Sequence, residues 1–377
     1  MTWRPGSSPK RALSCTKQAD NLDFIETPIV GTTKVAIIAF AMAAFIVFIV
    51  TPSVGSIARF MGAMDEPNAR KIHEDPIPRL GGLAIFFGFI IPALLFLQLT
   101  DQMKGVLVGA SIITLFGAVD DFRPTGPLVK FTGQFIAAGC LVYYGMRIDY
   151  FSLPYIGTVN LAVALAIPLT LIWVVALINI VNFIDGMDGL AAGVCTIAAG
   201  TFAVIAISLG RPGAGILAAV LAGTTLGFLR HNFYPASIFM GDSGSMLLGF
   251  ILAAVTVHGV LKSVAAVTLV IPLLILGVPI FDLSFAIMRR VKNHRSIFRP
   301  DRGHLHHRLF NIGFSQRKAV LILYAWCTLM SSLALSMRFA PGFVTVILAC
   351  VAIAVSLYLV YLLEILKIRT RRSARLR

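Results

Sequence analysis

The sequence predicts an all-α polytopic membrane protein with about eleven transmembrane helices. Of its 377 residues, 58% are hydrophobic and only 13% are charged, and the mean hydropathy is +0.87. Soluble domains carry roughly 25% charged residues, so this fraction is too small to cover a water-facing surface. The apolar residues also form runs close to the roughly 20 residues that a helix needs to cross the hydrocarbon core.

The predicted spans follow one another with mostly short connections. They are, approximately, 35–51, 80–99, 105–119, 128–146, 161–180, 190–209, 213–229, 244–261, 265–288, 319–337 and 343–363. We therefore expect one transmembrane domain over 35–363, preceded by a polar, disordered tail over 1–34 and followed by a basic tail over 364–377. The loop 147–160 is predicted to hold a small hairpin or a re-entrant turn.

The net charge of +15 is interpreted as a sign of membrane topology. Lys and Arg residues concentrate in alternate loops and in the C-terminal tail, as cytoplasmic segments of membrane proteins do. An odd number of spans then places the N-terminus outside and the C-terminus in the cytoplasm. No nucleic acid is expected as a partner, because no basic stretch is interleaved with aromatic residues in the manner of single-strand binders.

Six polar clusters fall at the predicted cytoplasmic ends of helices. They are 65–73, 78–82, 120–121, 182–189, 239–244 and 302–308. A transporter would be expected to place ionisable groups near the bilayer midplane, on broken helices. Groups at helix ends can instead meet a water-soluble substrate, which favours an enzyme with its active site at the cytoplasmic face.

The adjacent carboxylates Asp120 and Asp121 repel each other unless a cation or strong donors lie nearby. Mg²⁺ prefers oxygen ligands and commonly bridges a few carboxylates and substrate phosphates, whereas the alternative is a solvated helix end. Lys130 and Gln134, one helical turn apart, are candidates to face phosphate oxygens. For Lys130 the alternative is a lysine that reaches the membrane interface.

The segment 182–189 gives a more specific signal. Asn182, Asp185 and Asp188 recur every three residues between two apolar spans, and burying three such groups is costly unless something pairs with them. Asp242 stands at the start of a further helix, where amide groups point towards an anion and the carboxylate can reach a metal. A simple helix cap is the alternative for Asp242.

A histidine cluster lies in the most basic loop. His304, His306 and His307 are flanked by Arg302 and Arg308. Zinc binding is one interpretation, but no Cys or carboxylate completes a usual zinc set. We prefer donors that neutralise a diphosphate, and a solvated basic loop is the alternative.

Together, the clusters resemble the motif series of the polyprenyl-phosphate N-acetylhexosamine-1-phosphate transferases, in order and in membrane side, over roughly 35–363. Within that superfamily the chain is closer to the WecA/TagO-type enzymes than to MraY. The features similar to that branch are Asn68, Arg70, Lys71 and His73, together with the Pro-x-Pro-Arg-x-Gly-Gly stretch over 76–82.

The resemblance implies transfer of an N-acetylhexosamine 1-phosphate, GlcNAc-1-phosphate by default for this branch, from a UDP-sugar to undecaprenyl phosphate. UMP would be released, and the product would start a lipid-linked cell-envelope glycan at the bacterial inner membrane. The implied cofactor is Mg²⁺, with Mn²⁺ as an alternative. The sequence leaves open a homodimer, because lipid-facing and partner-facing helix surfaces have similar compositions.

The resemblance also implies residue roles. Asp120, Asp121 and Asp242 are predicted to be catalytic, with the first two orienting or deprotonating the lipid phosphate. The predicted metal ligands are Asp242, Asp185 and Asp120. The predicted substrate-binding residues are Arg70, Lys71, His73, Arg79, Lys130, Asn182, Asp185, Asp188, Phe239, Arg302, His304, His306 and His307.

Two other functions are weighed against this one. An intramembrane prenyltransferase also pairs Asp motifs with Mg²⁺-diphosphate, but Arg123 and Pro127 occupy the positions where its later aspartates would be. A transporter of nucleotide sugars or lipid phosphates would explain the basic loops. It would not explain carboxylates gathered on one side.

Overall fold

The computed structural model describes residues 29–66, 75–153, 157–260, 270–292 and 305–375. These segments are mainly helical. The helices are α1 Ile29–Met61, α2 Gly81–Phe96, α3 Asp101–Phe122, α4 Pro127–Tyr143, α5 Val163–Ile184, α6 Leu190–Ser208, α7 Pro212–Asn232, α8 Gly241–Val255, α9 Val270–Ile275, α10 Gly277–Lys292, α11 Leu305–Ile312, α12 Gln316–Phe339 and α13 Gly342–Arg375. A π-helical turn, Thr256–Val260, extends α8.

Eight helices of the described segments are long and apolar enough to cross a membrane. They are α1, α3, α5, α6, α7, α8 with its π-helical turn, α12 and α13. α2 and α4 are shorter apolar helices. The prediction of an all-α polytopic membrane protein is therefore confirmed, whereas the count of eleven spans is not.

The predicted span 265–288 is not a single helix. Residues 261–269 lie outside the described segments, and the remainder is divided into α9, which ends at Ile275, and α10, which begins at Gly277. Pro279 explains the division, because its ring lacks an N–H and would clash with the carbonyl of Ile275 in a continuous helix. Near the C-terminus, α13 continues to Arg375, so most of the predicted basic tail over 364–377 is helical.

α8 lies at the centre of the bundle. It packs against α3, α5 and α2, and 89% of its most apolar window is buried. Glycines permit close packing at its N-terminal end, since a Cβ atom on Gly82 or Gly117 would overlap the backbone around Ser243. Small residues at helix contacts are how helices in membranes approach each other closely.

Two short antiparallel ladders lie at opposite ends of the bundle. β1 (Met64–Asp65) pairs with β2 (Ile77–Pro78), which leads directly to Arg79. β3 (Tyr150–Leu153) pairs with β4 (Gly157–Asn160) in the connection from α4 to α5. The second ladder confirms the small hairpin predicted for the loop 147–160.

Candidate active site

Lys130 joins two carboxylates that are far apart in the sequence. Its Nζ lies 2.8 Å from Oδ2 of Asp120 and also contacts Oδ2 of Asp242. Asp120 ends α3, Lys130 lies in the first turn of α4, and Asp242 opens α8, so three helix ends meet here. Asp120 additionally accepts hydrogen bonds from the backbone N–H (2.7 Å) and the hydroxyl (2.6 Å) of Thr125.

Asp121 caps the helix that carries Asp242. Its carboxylate accepts hydrogen bonds from the N–H of Asp242 (2.7 Å) and from the N–H (3.1 Å) and hydroxyl (2.6 Å) of Ser243. A carboxylate at a helix N-terminus satisfies amides that have no partner within the helix. Arg79 lies 3.9 Å from this carboxylate and 3.3 Å from that of Asp65. Asp121 therefore fixes the position of Asp242.

The end of α5 brings two more predicted residues to this point. Asn182 donates hydrogen bonds to Oδ1 of Asp242 (3.2 Å) and to the hydroxyl of Ser245 (2.8 Å). Asp185 follows at the helix terminus and interacts electrostatically with Asp242 and Asp121. Desolvation raises the pKa of the Asp185 carboxyl well above its ordinary value, and the two neighbouring carboxylates raise it further.

Asp188 and Phe239 belong to segments that lie beside each other. Oδ2 of Asp188 accepts a hydrogen bond from the N–H of Ala236 (2.9 Å). The backbone N–H of Phe239 donates to the carbonyl of Pro78 (2.8 Å). The loop after α5, the loop before α8 and the strand before α2 therefore contact one another.

The remaining predicted substrate-binding residues are not placed. Arg70, Lys71 and His73 lie outside the described residues, as do Arg302 and His304. His306 and His307 belong to α11, whose backbone begins at Leu305. The N–H of Leu305 donates to Oδ1 of the buried Asp282 (2.7 Å), which anchors the start of α11 on α10.

The carboxylate oxygens at this site fit a magnesium ion that would take only some of its ligands from the protein. Within the described segments, no three His, Cys, Asp or Glu side chains form a group with metal-ligating spacing. Mg²⁺ usually takes one or two carboxylates and completes its shell with waters and substrate phosphates. Asp242 and Asp185 offer such oxygen atoms, and a cation would relieve the repulsion that raises the Asp185 pKa.

Several residues of the site escaped prediction, and Gln134 was placed wrongly. Gln134 is buried and accepts a hydrogen bond from Asn179 (2.7 Å), so it does not face a phosphate. Ser243 and Thr125 were missed; their hydroxyls donate to the carboxylates of Asp121 and Asp120. No local sequence pattern pointed to Asn232, which accepts a hydrogen bond from the N–H of Gly189 (3.1 Å).

Comparison with known proteins agrees with this geometry. Residues 103–260, which carry Asp120, Lys130, Asp185 and Asp242, match the family described as glycosyl transferase family 4. The "Probable undecaprenyl-phosphate N-acetylglucosaminyl 1-phosphate transferase" of Bacillus subtilis (strain 168) is 44% identical over 289 residues, which are 76% of this chain and 81% of that protein. The chain belongs to glycosyl transferase family 4.

Two further relatives extend the comparison. The decaprenyl-phosphate N-acetylglucosaminephosphotransferase of Mycobacterium leprae is 40% identical over 314 residues, covering 75% of this chain and 79% of that protein. The undecaprenyl-phosphate alpha-N-acetylglucosaminyl 1-phosphate transferase of Escherichia coli K12 is 29% identical over 311 residues, covering 78% and 83% respectively. The predicted resemblance is thus confirmed, and the chain is a membrane-embedded transferase.

Proposed function

We propose that this protein transfers GlcNAc 1-phosphate from UDP-GlcNAc to undecaprenyl or another polyprenyl phosphate, and thereby starts a lipid-linked cell-envelope glycan. The observation that carries the proposal is the meeting of Asp120, Lys130 and Asp242 at the ends of three apolar helices. Relatives that span most of the chain are named for this transfer. Apolar helices below a charged site suit an acceptor with a lipid tail and a phosphate head.

The proposed reaction exchanges one phosphoanhydride bond for another. An oxygen of the lipid phosphate attacks the β-phosphorus of the UDP-sugar, and the bond from that phosphorus to the bridging oxygen breaks to release UMP. A phosphate monoester has a second pKa of about 6, so the acceptor is mostly a dianion at neutral pH. A strong general base is therefore not required, and Asp120 serves to orient the acceptor or remove a residual proton.

The main barrier is the approach of one anion to another, and preorganised positive charge lowers it. Mg²⁺, or Mn²⁺ as the alternative, would neutralise the diphosphate, with Asp242 and Asp185 as its protein ligands. Lys130 holds Asp120 and Asp242 in place and offers its ammonium to phosphate oxygens. Asn182 orients Asp242 through its amide, and Asp188 and Phe239 are proposed to contact the uridine.

We further propose that the site faces the cytoplasm, with the N-terminus outside and the C-terminus inside. The basic residues of the loops on this side support the cytoplasmic assignment. Arg317 at the start of α12 donates to the carbonyl of Tyr234 next to the site (3.3 Å), so α12 begins on the side of the site. Arg338 at the other end of α12 donates to the carbonyl of Ser208 at the end of α6 (2.9 Å). If α9 and α10 together make one interrupted crossing, the chain crosses the membrane eleven times.

Release of UMP tests the proposal. Membranes containing the protein, polyprenyl phosphate and UDP-GlcNAc should release UMP only when a divalent cation is present. Asp242→Asn should lower this rate about a hundredfold or more with the amount of folded protein unchanged. Asp101→Asn is the matched control, because Asp101 begins α3 at its other end and is exposed beside Lys104.

Other products would contradict the proposal. Release of inorganic diphosphate would indicate a prenyltransferase, and movement of an intact nucleotide sugar without UMP would indicate a transporter. A phosphorylated enzyme trapped with UDP-GlcNAc alone would replace direct attack by a covalent route. The same assay with several UDP-sugars identifies the sugar that is transferred.

A further inference from the structure

The loop that carries Asp185 and Asp188 ends at Gly189, and this glycine is held from two sides. Its backbone has φ of +76°, in the left-handed region that favours glycine. Its N–H donates to Oδ1 of Asn232, the last residue of α7 (3.1 Å). Its carbonyl accepts a hydrogen bond from the hydroxyl of Tyr324 on α12 (2.5 Å). Because Asp188 is the neighbouring residue, these bonds bear directly on its position.

Tyr324 is fitted to this place by more than one contact. A Cβ atom on Gly193 would overlap the Tyr324 ring, so the absence of a side chain there lets the ring lie against α6. The ring is half-buried, and a hydroxyl in apolar surroundings needs a hydrogen-bond partner. The Gly189 carbonyl, which also accepts from the N–H of Gly193 (2.9 Å), is that partner.

α12 contains neither Asp nor Glu, so it supplies no carboxylate to the site. The opposite side of the loop is held by α7 and the segment before α8: Asn232 also donates to the carbonyl of Ile238 (2.9 Å), and Ala236 donates to Asp188. On the α12 side, Tyr324 makes the matching hydrogen bond. The loop is thus fixed between α7 and α12.

We infer that Tyr324 is a positioning residue for the nucleotide donor, which acts by holding Gly189 and, through it, Asp188 and Asp185. This inference rests on the proposed function, in which these aspartates contact the diphosphate and the uridine. Without the hydroxyl, the loop loses its hydrogen bond on the α12 side, so its position should shift. The acceptor contacts near Asp120 lie on other helices and should be unaffected.

The test compares Tyr324→Phe with Tyr358→Phe, a control that removes a hydroxyl from an exposed tyrosine on α13. We expect Tyr324→Phe to raise KM for UDP-GlcNAc about fivefold, the usual effect of one lost hydrogen bond, and to leave KM for polyprenyl phosphate unchanged. A merely structural role would lower the active fraction, and hence Vmax, without changing either KM. That result, or kinetics equal to the control, would overturn the inference.

A second measurement does not depend on catalysis. Amide hydrogen exchange of the purified protein, over peptides spanning 185–193, should be faster in Tyr324→Phe than in Tyr358→Phe. Unchanged protection would refute the positioning role. If the wild-type protein releases no UMP, the proposed function fails, whereas the exchange result still decides whether Tyr324 holds the loop.

Discussion

Replacing Lys130 by methionine removes the charge that holds two carboxylates together. Asp120 and Asp242 both contact the Lys130 ammonium, so their facing oxygens are at most about 5 Å apart. At an effective dielectric constant of about 20, two negative charges at this distance repel by about 3 kcal/mol. Methionine preserves most of the length of the side chain and restores none of the charge. We therefore expect the transfer rate to fall about a hundredfold.

The assay measures UMP release and the apparent melting temperature of detergent-purified protein over a titration of Mg²⁺. Lys130→Met should melt at a lower temperature than wild type without Mg²⁺ and recover part of the difference when Mg²⁺ is added, because a cation supplies the missing charge. Lys104→Met is the matched control, since the Lys104–Asp101 pair is exposed and such pairs contribute about 0.2–1 kcal/mol. A Lys130→Met protein with activity within about threefold of the control would refute the reasoning.

Two further substitutions test how Asp242 is positioned. Asp121→Asn should destabilise the protein by about 2 kcal/mol, because it weakens charge-assisted hydrogen bonds to the backbone of Asp242 and Ser243; an unchanged melting temperature would show that the cap is dispensable. Gly241→Ala should abolish UMP release, because Gly241 has φ of +68° and a Cβ atom there would overlap the Asp121 carboxylate and the Arg79 carbonyl. Near-normal release by Gly241→Ala would mean that the loop adapts without loss of geometry.

The sequence predicted the membrane-spanning class of the fold and the gathering of the acidic groups, but not every helix boundary. Long apolar runs predict helical spans, since every backbone polar group in a membrane must be bonded internally. Polar clusters at alternate helix ends must then share one side of the membrane. The structure brings Asp120 and Asp242 to Lys130, and it places Asp185 near enough to Asp242 for the two charges to repel. Their roles in binding a metal and substrates stay predictions.

Other features depend on three-dimensional packing that no local pattern reveals. Asp120 and Asp121 looked equivalent in the sequence, but successive helical residues point in different directions. One faces Lys130 and the other caps α8. Likewise, the apolar composition of 265–288 predicted one span. Instead, α9 ends at Ile275, one helical turn before Pro279. Tyr324 lies 135 residues from its partner Gly189, beyond the reach of any periodicity.

The burial of α8 separates the chemistry from changes in the surrounding lipid. Helices that touch lipid tilt or bend when bilayer thickness changes, and only 22% of the most apolar window of α13 is buried, compared with 89% for α8. The helix bearing Asp242 is therefore shielded by its neighbours, which absorb such deformation first. The position of Asp242 should accordingly vary little between vesicles of thin and thick phospholipids, even where the outer helices reorient.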